Sequence, residues 1–585
     1  MLHRMLPETD QNFGKVARLQ SLEESGGILA STFAWRNPET YHAASEQAKC
    51  SIFIHGELYD LKPKLILEDY INQRPAFLNH LEAEGAFAGL IHDRLNSKVH
   101  IFADFFGLEN IFYYYDNDKF ALSTNIKNIS AIPGIDRTVD METLASFWNF
   151  GFAINQQTPF KEIKLLPPGT LLSLDLKNWK LAHHTYANLL DLFHFGGDDS
   201  QDLAEPVRLF QHAVNIRTSD YASTRLGLSL SGGLDSRAIL SAIGEKSAKL
   251  TTYTLGLKKC ADEILAEKMA AICNTKHTFV PIDQTALEDF ESLAQTLVYH
   301  SDGFYHPHES TEQVALNYLA SDPFDIMLRG HGGEIAKYSL AYPFQSFRGM
   351  DDHSSSDIFD HFFERASLAR QDIDFKKLFI HPVAQESQFL SYNAMRHSID
   401  PVMKSGIRNC DLGIYLYIDQ WIRRQVVSSL SLFRDKVGIR MPYMDRRFIR
   451  SLLSLDPKRR YSGEFQRRLV HDLSPDLEKV PDSNTGAPLN AGKVEVFMKD
   501  KLHSVLRKMG IKGHRHYTEF QEWQRKHFRD AIQQILFSER CLDRNYYDKK
   551  ALEGIFQQHI SGKNNYSHFF GTAVGIELWH RLFVD

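Results

Sequence analysis

A chain of 585 residues is too long for a single hydrophobic core, so two or more domains are expected. Its 43% apolar and 24% charged residues are ordinary for a soluble globular protein, and a net charge of -6 gives no case for a nucleic-acid partner. No apolar run approaches the roughly 20 residues that span a bilayer, Met1 to Arg4 open no signal-like stretch, and five scattered cysteines form no metal-like pair, so a cytoplasmic, reduced setting is expected.

Short strand candidates fill the first 190 residues. Ser51-Ile52-Phe53-Ile54 runs into His55-Gly56-Glu57-Leu58-Tyr59-Asp60, and further strands are read at 85–93 and 99–104. The strands at 111–115 and 120–124 flank the turn cluster Asp116-Asn117-Asp118, which predicts a hairpin. These residues alone describe an α+β domain of antiparallel sheets whose function is open. A polar, glycine-bearing stretch, Phe195 to Asp202, reads as a boundary loop.

From about residue 203 the pattern changes to helices alternating with buried strands, as in a parallel sheet covered on both faces. A helix is predicted over 203–222. Next, Leu226-Gly227-Leu228-Ser229-Leu230 ends in Ser231-Gly232-Gly233-Leu234-Asp235-Ser236, and a helical segment follows over 237–243. A buried strand, a tight turn and a helix N-terminus offer unpaired N–H groups and a positive dipole end to a phosphate. Two glycines let the backbone approach the anion, two serines add hydroxyl donors, and Asp235 stands where a Mg²⁺ bridging phosphates would bind. A second strand is predicted over 250–257, where Thr254 and Gly256 could line an adenine site beyond the strand end. Asp262 and Glu263 open an amphipathic helix whose acids the helix dipole explains adequately. A third strand, 324–328, meets another glycine-rich turn, Arg329-Gly330-His331-Gly332-Gly333-Glu334. Between the last two strands, His300 to Glu309 gathers three histidines with an Asp and a Glu, without the helical spacing of a metal site. The region 412–455 and the tail from about 490 read as helical.

The string Ser231–Ser236 resembles the pyrophosphate loop of PP-loop ATP pyrophosphatases. Almost the whole chain resembles the asparagine synthetase family, which includes β-lactam synthetases and lasso-peptide cyclases. His55-Gly56-Glu57-Leu58-Tyr59-Asp60 corresponds to the family's Asn-Gly-Glu-Ile-Tyr-Asn. Gly85-Ala86-Phe87-Ala88, Ala103-Asp104-Phe105-Phe106-Gly107 and Leu166-Pro167-Pro168-Gly169 match its later strings, as does Gly438-Ile439-Arg440-Met441-Pro442-Tyr443-Met444-Asp445. The resemblance implies an α+β sandwich like the N-terminal-nucleophile hydrolases (1–190), a linker (191–205), and an α/β parallel-sheet PP-loop domain with a helical C-terminal part (206–585).

Departures from the family pattern shape the functional expectation. The family's glutaminase uses an N-terminal cysteine, whereas position 2 is Leu2; His55 replaces the motif asparagine; and a Ser-Asp-x-Glu segment is missing. This domain is therefore expected to hydrolyse no glutamine and to serve as a structural or docking unit. In the second domain the resemblance assigns ATP and pyrophosphate to Leu228, Ser229, Ser231, Gly232, Gly233, Asp235, Ser236, Thr254, Gly256, Gly330 and Gly332. Mg²⁺ is assigned to Asp235 and Glu334, the latter one methylene longer than the family's aspartate. His331 falls where β-lactam synthetases carry an acid–base tyrosine and could deprotonate an amine, although a loop histidine bonded to backbone is the plain alternative. Gln466 occupies the position of a family lysine that stabilises charge on the adenylate, which leaves Arg467 or Arg468 to replace it. Arg440 and Asp445 read either as a buried pair shaping the pocket floor or as substrate contacts. The implied activity joins a small-molecule or peptide carboxylate to an amine, with AMP and pyrophosphate released. An ammonia-dependent asparagine synthetase and a non-catalytic nucleotide- or partner-binding homologue are the alternatives. No membrane or nucleic-acid partner is expected, and a homodimer or pathway partner protein is left open.

Overall fold

The computed structural model describes residues 22–24, 27–29, 40–74, 76–193, 200–282, 289–307, 311–337, 353–367, 372–434 and 436–585. Leu2, most of the predicted boundary loop (195–199), His308 and Glu309 lie outside the described residues.

The N-terminal half is antiparallel. Strands β1 (Leu22–Glu24) and β2 (Gly27–Leu29) pair with each other. Next come β3 (Thr40–Ser45), β4 (Cys50–Leu58), β5 (Gly85–Asp93) and β6 (Lys98–Ala103). These join β10 (Thr170–Asp175) and β11 (Lys180–Thr185) in a six-stranded sheet of order β11-β10-β6-β5-β4-β3. Strands β7 (Phe112–Tyr115), β8 (Phe120–Ser123) and β9 (Ile163–Leu165) form a second sheet, β8-β7-β9, so the predicted hairpin is present. Alternation along β4 turns Cys50, Ile52 and Ile54 toward Ile66 and Leu67 of the helix Pro63–Ile71. The opposite face of the large sheet, with Leu90, Ile101 and Leu172, packs on Tyr113 and Phe120 of the small one.

The C-terminal half holds five parallel strands: β12 (Leu226–Ser229), β13 (Thr251–Gly256), β14 (Lys276–Pro281), β15 (Ile326–Leu328) and β16 (Gly438–Arg440). Their order is β14-β13-β12-β15-β16, so the direction of winding reverses between β12 and β15. Leu228 pairs with Leu328, which sets the turns that follow these two strands side by side. Ligands of open parallel sheets bind at such a switch point, beyond the strand C-termini.

Three predicted elements differ. The helix expected over 203–222 is Ala204–Ile216; Arg217 caps it, and its side chain reaches Asp445 (3.1 Å) and the Met444 carbonyl (3.2 Å). The region 412–455 is not helical throughout. A π-type segment, Tyr417–Val426, replaces regular α-helix there, and Gly438–Arg440 is the edge strand β16. The histidine-bearing stretch, of which 300–307 are described, whose place in the family order implies a substrate-pocket loop, is instead packed into the seam between the halves. There Asp302 accepts from Lys127 Nζ (2.9 Å) and the Ile126 N–H (2.7 Å), while the His306 ring lies 4.7 Å from that of Phe147.

Arginines of the C-terminal half stitch that seam. Arg440 binds Glu57 and also Asp220 (2.8 Å). Arg446 binds Glu84 (3.0 Å) and Glu82 (2.9 Å), and Arg434 binds Glu109. Of the two expectations for Arg440 and Asp445, a mutual pair or substrate contacts, the mutual pair is not formed: Arg440 binds Glu57 and Asp220, and Asp445 binds Arg217 and Arg447.

Candidate functional site

Strand β12 delivers the first turn. Leu228 is buried in the sheet and Ser229 closes the strand, while the Leu230 carbonyl accepts from Thr254 Oγ1 (2.5 Å) at the neighbouring strand end. Thr254 therefore ties β13 to the turn. Beyond it, Ser231 N–H donates to Ser236 Oγ (3.1 Å), Gly233 N–H donates to Ser231 Oγ (3.3 Å), and the two serine hydroxyls lie 3.3 Å apart. Gly232 N–H donates to Asp262 Oδ1 (2.7 Å), so that acid supports the loop rather than only the dipole of its own helix. No side chain caps the helix Leu234–Ile243 at Gly233, which leaves its positive end available to an anion. Gly256 lies at the end of β13, where a Cβ would come within 3.3 Å of Tyr517.

The second turn is built against the first. A Cβ on Gly330 would lie 3.0 Å from the Asp235 Cβ, and one on Gly333 would overlap the Asp235 carboxylate. Gly332 adopts φ +91°, a left-handed conformation that a side chain disfavours. These glycines let the Asp235 side chain rest directly on the neighbouring backbone.

Between the turns lies a charged cluster. Lys337 Nζ pairs with Asp235 Oδ2, and Gln466 Nε2 donates to Asp235 Oδ1 (3.0 Å) and to the Gly333 carbonyl (3.0 Å). Tyr417, on the π-type segment, donates its hydroxyl to Glu334 Oε2 (2.7 Å). Burial and the nearby Glu334 charge push the Asp235 carboxyl up to about 6 against the pull of Lys337. Burial opposes ionisation of Glu334 too, but Lys337 and the Tyr417 hydroxyl outweigh it and hold that carboxyl below its usual range. Lys337 is raised in turn, since Asp235 and Glu334 overcome its own desolvation. Two carboxylates sharing one ammonium thus divide their protons unequally.

His331 stands on the same turn. Burial and the Arg329 charge lower it to about 3, so the imidazole is neutral at pH 7, and its Nδ1 has no hydrogen-bond partner among the described residues. Arg467 donates to the Ser462 carbonyl (2.5 Å) and Arg468 to Asp472 (2.7 Å), so in this arrangement neither guanidinium bonds to Asp235.

Asp235 and Glu334 suit a Mg²⁺ that takes one or two protein carboxylates and completes its shell with phosphate oxygens and water. The cation position they define is shared with Lys337. No group of three or more His, Cys, Asp or Glu among the described residues could hold a metal by itself.

Besides Tyr417, two residues of the site carry no signal in the sequence. Lys337 is one. The other is Arg237, fully buried, whose guanidinium donates to the carbonyls of Gly232 (3.0 Å), Val480 (2.7 Å) and Pro481 (2.7 Å) and so anchors the first turn to 477–481.

The asparagine synthase family model matches residues 207–483, and a glutamine amidotransferase domain model matches 64–187. The putative asparagine synthetase (glutamine-hydrolyzing) 2 of Methanocaldococcus jannaschii is 24% identical over 307 residues, covering 49% of this chain and 58% of that protein. The asparagine synthetase of Mus musculus is 25% identical over 216 residues, 33% of this chain and 34% of its own length. Asparagine synthetase 2 of Bacillus subtilis is 26% identical over 223 residues, 37% of this chain and 28% of its own. The matched region spans little more than half of the first of these relatives and about a third of the others.

Proposed function

We propose that this chain is an enzyme of the asparagine synthetase family that forms amides with ATP and works without hydrolysing glutamine. The observation that carries the proposal is the pair of glycine-rich turns at the switch point of the parallel sheet, with Asp235 and Glu334 facing one ammonium between them.

The triphosphate of ATP would be held at the uncapped start of helix Leu234–Ile243, where the Ser231 and Ser236 hydroxyls and the first backbone N–H groups would serve as donors. Mg²⁺, held by Asp235 and Glu334, would neutralise phosphate charge. A substrate carboxylate oxygen bonds the α-phosphorus as the α–β bridging bond breaks, and pyrophosphate leaves with the electron pair. An amine then attacks the acyl carbon and AMP departs. The two turns bring both reactants over one sheet edge and so supply proximity. His331 remains the candidate base for the amine on sequence grounds, but burial and the Arg329 charge hold its imidazole down to about 3, which makes it a weak acceptor of that proton.

The absence of a glutaminase step is supported by the seam. Glu57, from the string that corresponds to the family's amidotransferase motif, is committed to Arg440, and Glu109 to Arg434. Position 55 carries histidine where that motif has asparagine. The nitrogen is therefore a substrate amine, as in natural-product or peptide modification, or else free ammonia. Incubation with labelled ATP, a panel of carboxylates and either amines, ammonia or glutamine tests this. AMP and pyrophosphate as products are expected, with glutamine inert. ADP as product, or glutamate released from glutamine, would refute the corresponding part. Tight ATP binding without turnover under every combination would favour a non-catalytic homologue.

A further inference from the structure

We propose that Lys337 is the catalytic cation of this site: its ammonium meets the triphosphate of ATP and balances the charge that leaves with pyrophosphate. The inference rests on the ATP-dependent reading given above.

The position of Lys337 is dictated by both turns. The short helical turn Gly333–Ala336 ends at Lys337, which forms an antiparallel bridge with Ser462. Gly463 follows with φ +71°, and a Cβ built there would sit 3.6 Å from the Lys337 Cβ. The lysine stem is thus held between the second turn and the start of the helix Glu464–Leu473, which carries Gln466. Its side chain is about one-quarter exposed, so the lysine is not sealed in the core.

Charge balance points the same way. Asp235, Glu334 and Asp482 all act on Lys337; Asp482 is also balanced by Arg237 and Arg467, which leaves Lys337 as the cation in contact with Asp235. Asp482 is 6% exposed, and its Oδ2 has no hydrogen-bond partner among the described residues. A triphosphate entering this acidic site needs a cation at the point of entry. Gln466 cannot supply it, because its neutral amide already bridges Asp235 and the Gly333 carbonyl. Arg467 and Arg468 are turned to Ser462 and Asp472. Lysine is a compact charge with rotatable donors, so Lys337 can swing from Asp235 to a phosphate oxygen without moving the backbone.

The division of labour follows. Gln466 fixes one oxygen of Asp235, and Lys337 provides charge. As the substrate oxygen bonds the α-phosphorus, the electron pair of the breaking bond collects on the α–β bridging oxygen. Lys337 stabilises that charge and transfers no proton.

The test is calorimetric titration of the full-length chain with Mg–ATP and, separately, adenosine. It compares wild type, Lys337→Met, and the exchange variant Lys337→Gln with Gln466→Lys. A charge-assisted bond to phosphate is worth enough that Lys337→Met should weaken ATP about 10- to 100-fold and leave adenosine unchanged. The exchange variant, which returns an ammonium to the other side of the same site, should recover most of the loss. Should Lys337→Met fail to fold, the exchange variant decides alone: ATP affinity near that of wild type supports the proposal, and a loss as large as that predicted for Lys337→Met overturns it. Unchanged ATP affinity in Lys337→Met, or equal weakening of ATP and adenosine, also overturns it. If wild type binds adenosine but gains nothing from the phosphates, the ATP-dependent reading falls and this inference falls with it.

Discussion

Gly333→Ala perturbs the site without removing any polar group. A methyl at this position overlaps the Asp235 carboxylate and lies 3.0 Å from the Asp235 Cβ, whereas an unstrained carbon contact is about 3.5 Å or more. Asp235 would have to retreat by about 1 Å. That retreat opens the Gln466–Asp235 bond of 3.0 Å and loosens the Gln466 bond to the Gly333 carbonyl. A hydrogen bond to a charged group contributes ~1.5–3 kcal/mol, so the site should lose ~2 kcal/mol of its grip on Mg–ATP, about 30-fold in Kd. Fold stability should fall by a comparable ~1–3 kcal/mol, typical of overpacking. Titration calorimetry measures the first quantity and denaturant unfolding the second. Affinity within twofold of wild type, in a variant that unfolds cooperatively, would refute the idea that contact between the two turns sets the geometry of Asp235.

Other consequences follow from the seam and from the protonation of Asp235. Arg440→Met strands the buried Glu57 and leaves Asp220 without its partner, at a cost of ~3–5 kcal/mol. The double variant Arg440→Met/Glu57→Gln should recover part of this in urea unfolding, and no recovery would deny the pairing. The Asp235 carboxyl is raised from 3.8 to about 6, so its contribution to stability is complete below 3.8 and is lost as pH rises through 6. Affinity for Mg–ATP should strengthen over the same interval as the carboxylate ionises, and Asp235→Asn should flatten that dependence in pH-resolved titrations. Arg237→Met removes the guanidinium that donates to the carbonyls of Gly232, Leu477, Val480 and Pro481, so it should destabilise by several kcal/mol, on the scale of ~1–3 per stranded group. Hydrogen exchange should show the 231–236 turn opening first.

The glycine-rich turns are legible in the sequence because each follows a short apolar run bounded by turn residues, and because the first donors and the Asp235 carboxylate lie within a few residues of the strand end. Asp235 and Ser236 lie on the loop they serve. Lys337 gives no such signal. It is an ordinary lysine until the sheet places it beside Asp235, 102 residues earlier in the chain. Gln466 reads as the loss of a charge, and only the tertiary arrangement places its amide on Asp235 and an ammonium on the other oxygen of the same carboxylate. Strand β16 escapes notice because three residues carry no period, and its strand character comes from pairing with β15. Arg440 and Asp445 look like a local pair because they are close in sequence. Their partners, Glu57 and Arg217, come from distant segments that no spacing rule connects.

Carboxylate-dependent exchange of labelled pyrophosphate into ATP, run with Mg²⁺ on wild type and on Asp235→Ala, tests the central claim most directly. The account predicts exchange that requires one class of carboxylate and disappears in the variant. ATP bound tightly by wild type, with no exchange for any carboxylate in the presence or absence of amines, or exchange that persists in Asp235→Ala, would contradict it.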